Sequence, residues 1–134
     1  MIELSNTADQ VLTAGQSITF DKVLLKIGCA ECHRANTGSD KMRADGIYEA
    51  SFAGNISGAV AGTPVQLAFQ LEGATMPETT MVATPGAANA SNNVATSTLI
   101  KNCCGDYDCI TVTNTGTTDV TVAANSAFIV RRLA

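Results

Sequence analysis

The sequence predicts an all-β sandwich of eight to ten short strands, and three features predict it. Apolar residues recur at every second position in several separate segments, Gly and Asn punctuate the intervals, and no stretch keeps helical spacing over a useful length. Alternation gives a strand one face for a core and one for its surroundings, because successive side chains on a pleated chain point to opposite sides. Strands of this kind, without a helix, can bury their apolar faces only by stacking sheet on sheet.

Taken in order, the first alternating segment is Ser17-Ile18-Thr19-Phe20. Asp45-Gly46 announces an extended segment, Gly46-Ile47-Tyr48-Glu49-Ala50-Ser51-Phe52, that closes at Gly54-Asn55. The clearest strand is Val65 to Leu71, with Val65, Leu67, Phe69 and Leu71 on one face and a turn at Glu72-Gly73. Met76-Pro77 opens a further stretch containing Thr79-Thr80-Met81-Val82, and Thr84 to Asn93, small and polar with Pro85 and Gly86, reads as a loop. Ile110 to Thr113 and Val120 to Val122 alternate on either side of Asn114-Thr115-Gly116, which predicts a hairpin turn. Ala127-Phe128-Ile129-Val130 is apolar on both faces, so this strand is central or is covered on its second face by another subunit.

Composition narrows the function classes. One uninterrupted pattern over 134 residues predicts a single domain, 1–134. Hydrophobic residues make up 46% but aromatics only 4%, with no Trp, so the core has to come from Val, Ile, Leu, Ala and a few Phe. The net charge is −4 and the basic residues are scattered apart from Arg131-Arg132, so no stripe suits a phosphate backbone and nucleic acid is not an expected partner. No apolar run approaches the roughly 20 residues of a membrane helix. The start, MIELSNTADQ, lacks the basic and apolar regions of a signal peptide. The expectation is a soluble protein made in a host cytoplasm and released by lysis within a virion.

The order of the pieces resembles the globular heads of tumour necrosis factor and the complement first component. An early apolar strand with Ile18 and Phe20 is followed by Lys41-Met42-Arg43-Ala44, then Gly46-Ile47-Tyr48 with Phe52, the strand Val65 to Gly73, and a terminal pair, Ile110 to Asn114 and Ser126 to Arg132. With Cys29-Ala30-Glu31-Cys32-His33-Arg34, Pro77-Glu78-Thr79-Thr80-Met81 and Cys103-Cys104-Gly105, the chain is similar to small forms of this head from Firmicutes and their prophages. The resemblance implies a ten-stranded jelly roll, a homotrimer, and a role as ligand, fibre head or surface module. A collagen-like Gly-X-Y stalk, which better-known members carry, is missing from this sequence.

Five cysteines are the most chemically suggestive residues. Cys29-Ala30-Glu31-Cys32-His33 satisfies the C-x-x-C-H pattern of covalent haem attachment. A haem needs a large apolar pocket and axial ligands, and the strand-like neighbours and scarce aromatics argue against it. Zinc is an alternative, with ligands from Cys29, Cys32, His33 and Cys109, or from the neighbouring Cys103 and Cys104. The favoured reading is disulfides among Cys29, Cys32, Cys103, Cys104 and Cys109, each worth about 2–4 kcal/mol to a particle that endures outside a cell. Cys104 and Cys109 flank a hairpin-length loop, Cys103 would point the other way, and the odd count leaves one thiol over or bonded between chains.

No catalytic residues are expected. His33 is the sole histidine, and Cys32 beside it on a strand would face the other way, poor geometry for a nucleophile and its base. Glu72, Glu78, Asp106 and Asp108 are spread over separate turns and read as solvated loop charges. Some relatives bind calcium near the trimer top, and Asp106-Tyr107-Asp108 could contribute to such a site, although it lacks the regular pattern of a dedicated calcium loop. The trimer interface is expected to use Tyr48, Phe52, Phe128 and Val130, or the opposite-face neighbour Ile129. The leading functional expectation is a non-enzymatic phage virion protein, a trimeric head that decorates a capsid, tips a fibre or binds host-surface glycans. The alternatives are a bacterial surface or spore-coat module assembled through disulfides and, least favoured, a haem electron-transfer protein.

Overall fold

The structure, a computed structural model, describes residues 1–28, 30–33, 37–38, 40–103 and 108–134, with Cys32 described by its backbone alone. Two sheets face each other. The larger has seven strands: β1 (Ile2–Ser5), β2 (Gln10–Leu12), β3 (Lys22–Lys26), β6 (Gly46–Ser57), β10 (Asn92–Asn102), β12 (Val120–Val122) and β13 (Ala127–Arg132). The smaller has six: β4 (Glu31–His33), β5 (Asp40–Met42), β7 (Val65–Leu71), β8 (Ala74–Thr75), β9 (Met81–Ala83) and β11 (Cys109–Thr113). A 3-10 turn, Pro77–Thr79, separates β8 from β9. The described residues thus form thirteen strand segments where ten were expected, because several sheet edges are built from pieces of only two or three residues.

The long strands carry the framework. β6 pairs with β10 along nearly its whole length on one side, and with β13 and then β12 on the other. It runs on through Gly54, where the sequence predicts an end. At that position a side chain would meet the Phe52 ring and Ser126 Cβ, each 3.0 Å from where a Cβ would stand. β13 lies between β6 and β1, and β1 passes the ladder to β3 at the edge. In the smaller sheet the order β4-β5-β11-β7 is completed by β8 and β9, which share the far side of β7.

Alternation sets the core. Ile2, Leu4, Tyr48, Ala50, Phe52, Phe128 and Val130 point inward from the larger sheet, and Met42, Val65, Leu67, Phe69, Ile110 and Val112 point inward from the smaller. Phe128 stacks on Phe20 at 5.4 Å between centroids and lies tilted against Phe69 at 5.6 Å, so three aromatic rings join the layers. Burying each such ring contributes roughly 1.5–3 kcal/mol. Ile18 and Phe20 are buried as their alternation predicts, although their segment makes only isolated bridges, Ser17 with Thr113 and Phe20 with Thr37.

Two turns separate the sequence expectation from the outcome. At Glu72-Gly73 the φ angles are +51° and +81°, the left-handed pair that a two-residue hairpin needs, and β7 folds back on β8 as expected. Asn114-Thr115-Gly116 is no hairpin. β11 pairs with β5 and β7, while β12 pairs with β2 and β6, so the chain crosses here from one sheet to the other. Buried Asn114 holds the crossing: its Nδ2 donates to Leu12 O and Thr118 O at 2.9 Å each, and its Oδ1 accepts from Gly116 N at 3.0 Å.

Candidate assembly face

On the outer face of the larger sheet, register places side chains in rows. Leu25, Glu3, Ile129, Ser51 and Ser97 form one row across β3, β1, β13, β6 and β10. Ala127, Ala53 and Ala95 form the next, and Arg131, Glu49 and Leu99 a third. Arg131 pairs with Glu49 at 3.0 Å and bounds the apolar area on that side. The middle of the face is a shallow depression lined by Ser51, Ala53, Ala95, Ser97, Ala127 and Ile129. Small side chains leave the surface flat, so another backbone can come close.

The edge beside it is unusual. All five residues of β3, Lys22 to Lys26, are exposed, and Val23, Leu24 and Leu25 keep 42–46% of their surface. An apolar edge strand is a template for unwanted pairing and is ordinarily short, charged or covered. Here Lys22 and Lys26 guard only its ends. With Ile27 (57% exposed) it makes a second apolar patch, one strand away from the flat face across β1 and Glu3.

The expected trimer-interface residues are corrected by this geometry. Tyr48, Phe52, Phe128 and Val130 are each 2% exposed or less and belong to the protomer's own core. β6 and β13 are interior strands, so their inward side chains meet the opposite sheet, and the outward positions fall one residue away. Ile129, half-buried, is on the outer face.

Among the described residues, Cys103, Cys109 and His33 do not form a metal-holding group. Cys29 and Cys104 lie outside the described residues, as do Asp106 and Tyr107 of the expected calcium segment. Cys32 and Cys109 both pair with Lys41, from opposite sides of β5. Two strand spacings put their α-carbons about 10 Å apart, too far for a direct bridge. No disulfide joins two described cysteines. His33 pairs with Asp40 on the inward side, whereas Cys109 pairs with exposed Lys41 on the outward side. Of the expected zinc set, His33 and Cys109 therefore lie on opposite faces of one sheet. His33 Nε2 lies 3.0 Å from Phe20 O. Burial, with the charge of Glu72 next, pushes the Cys109 thiol up, which disfavours the thiolate a metal or a nucleophile would require. Among the described residues no group of three or more His, Cys, Asp and Glu side chains is placed to hold a metal.

No protein-family model and no curated protein sequence matches the chain. Solved structures do. The globular domain of zebrafish complement 1qA is 12% identical with a TM-score of 0.67, covering 96% of this chain and 94% of that one. Murine APRIL is 13% identical with a TM-score of 0.67, covering 98% of each chain. Eiger TNF from S. frugiperda is 9% identical with a TM-score of 0.78, covering 99% of this chain and 91% of that one. At these identities the likeness is one of fold, and it extends over almost the whole chain: a two-sheet jelly roll of the kind shared by tumour necrosis factor and complement 1q globular domains.

Proposed function

We propose that this protein is a non-enzymatic, homotrimeric head that serves as a structural or attachment module on a phage particle. The observation that carries the assembly is the outer face of the larger sheet, where small and apolar side chains from β6, β10 and β13 are separated only by β1, with Glu3, from the apolar edge strand β3. The patches are unlike, so a second copy that seats its edge on this face makes a head-to-tail contact. Such contacts close into a ring when each step turns by the right angle, and three copies close at 120°. The fold likeness supports the same reading, since the sequence resemblance to these heads implies trimers. The particle role rests on the similarity to prophage-encoded forms, and the loops at the ends of the sandwich are where host-surface glycans or capsid and fibre proteins would be met.

Light scattering on the purified chain at micromolar concentration is expected to give three times the protomer mass; a well-folded monomer would remove the proposal. For the particle role, antibody labelling of native phage particles in electron micrographs is expected to decorate capsid or fibre. Labelling confined to bacterial envelopes or spores would replace the virion with the cell surface.

A further inference from the structure

Besides β2 and β3, the larger sheet ends in a third edge strand, β10. β2 has three residues, and β3 carries a register shift and a lysine at each end. Shortness, irregularity and charge are ways of blunting an edge against unwanted pairing. β10 is built otherwise. Its 11 residues pair with β6 in one unbroken register, none is proline, and Lys101, near one end, is the only charge. Among the described residues, no strand pairs with its other side.

The ladder fixes which backbone groups face that open side. Ile47 N donates to Ala134 O at 3.1 Å, Ile47 O accepts from Leu133 N at 2.7 Å, and Asn55 O accepts from Ala123 N at 2.9 Å. The odd-numbered residues of β6 therefore spend their backbone groups on the side away from β10. Residues directly opposite in an antiparallel pair either exchange both hydrogen bonds or turn both away. Asn93, Ala95, Ser97, Leu99 and Lys101 are opposite Asn55, Ala53, Ser51, Glu49 and Ile47, so they turn their N–H and C=O groups outward along the edge. All five are exposed. Among the described residues their backbone groups make no hydrogen bond outside the sheet.

The strand is also nearly the same read in either direction. About Ser97, Thr96 mirrors Thr98, Ala95 mirrors Leu99, Val94 mirrors Ile100, Asn93 mirrors Lys101, and Asn92 mirrors Asn102. We propose that β10 is a twofold docking edge, on which a second copy of this chain lays its own β10 antiparallel, Ser97 against Ser97, so that the two larger sheets join into one. In this register every outward-turned residue meets another, and each pair exchanges two hydrogen bonds. On the outer face Leu99, 61% exposed in one copy, is covered by the second copy's Ala95. On the inner face threonine meets threonine and Val94 meets Ile100, pairs that favour strand association. The two Lys101 side chains stand about 27 Å apart, each facing an asparagine. A seam of two strands buries less than the roughly 1,000 Å² of a stable interface, so it is weak between free copies and gains strength where many are held side by side. The contact does not rest on the threefold one: β10 and β3 are opposite edges of the sheet. Where both form, the seam links one trimer to the next.

The test is a bridge across the twofold axis. Ser97→Cys, made in the full chain together with Ile129→Asp so that the face contact plays no part, is oxidised at high protein concentration. In the proposed register the two α-carbons at position 97 lie about 5.5 Å apart, within bridging distance. Peptide mapping, which separates this bridge from any made by the native cysteines, is expected to find position 97 of one chain joined to position 97 of the other. Leu99→Cys, whose α-carbons would lie about 14 Å apart, is expected to join to itself roughly tenfold less. In the parent chain, light scattering at rising concentration is expected to climb from the trimer's mass towards twice that mass. Leu99→Pro is expected to stop the climb in a chain that still folds, because the N–H it deletes points away from β6. A constant mass, no bridge at position 97, equal bridging at the two positions, or a climb that Leu99→Pro leaves unchanged would overturn the seam. A parent that climbs only from one protomer mass to two would remove the threefold contact and keep this one.

Discussion

On the outer face of the smaller sheet, polar side chains serve one another: Gln66 donates to Thr115 at 2.9 Å, Gln70 to Thr75 at 3.2 Å, and Thr111 and Thr113 share a hydrogen bond at 3.0 Å. On the outer face of the larger sheet the corresponding positions hold Ser51, Ala53, Ala95, Ser97, Ala127 and Ile129, beside an edge strand whose three apolar residues are largely exposed. Both faces belong to antiparallel strands of similar alternation. A face whose polar groups satisfy each other is finished in water. One made of methyl groups and small hydroxyls gains most by being covered, and the contrast is what favours the larger sheet in the proposed assembly.

The sharpest way to test that contrast uses neighbours on one strand. Phe128→Ala removes the ring that joins the two layers and is expected to cost about 3–5 kcal/mol, read as a fall in the denaturant midpoint. Ile129→Asp, one residue on and facing out, is expected to abolish the trimer in light scattering while changing the folded protomer's stability by roughly 1 kcal/mol or less. An Ile129→Asp variant that stays trimeric would move the interface off this face. On the opposite sheet, Gln70→Ala is expected to leave assembly intact and stability within about 0.5 kcal/mol of the parent. Dissociation by that change would reverse the assignment of the two faces.

Much of the fold was legible. The alternation in Val65 to Leu71 gave the correct inward residues, that in Gly46 to Phe52 gave the strand but not which face of it turns inward, and Glu72-Gly73 gave the correct turn. β3 was illegible because Lys22-Val23-Leu24-Leu25-Lys26 has no alternation: it is an edge strand whose side chains are exposed on both faces. β10 was missed for a related reason. Its inward positions include Asn92, Thr96 and Thr98 as well as Val94 and Ile100, so the apolar period of two is broken, and its first residues were assigned to the preceding loop. Asn114-Thr115-Gly116 carries hairpin chemistry yet spans two sheets, since turn residues specify a local bend and not the partner of the next strand. Of the outer face proposed for assembly, the sequence offered only Ile129, as the opposite-face alternative to Tyr48, Phe52, Phe128 and Val130; Ala53, Ala95 and Ser97 are too small to register as apolar signal.

By itself, the sequence determined that the chain is all-β and which side of most strands turns inward, because alternation is a property of neighbouring residues and survives any choice of partner. Sheet membership was decided by the tertiary structure. β1 finds β13 from the far end of the chain, and buried Asn6 near the start bonds Ser126 and Ala123 near the finish. Once those long-range pairings exist, the smaller sheet's outward face carries polar side chains bonded to one another, while the middle of the larger sheet's outward face carries small and apolar ones, and that difference, invisible to any local pattern, is what suits the larger sheet to the proposed partner copy.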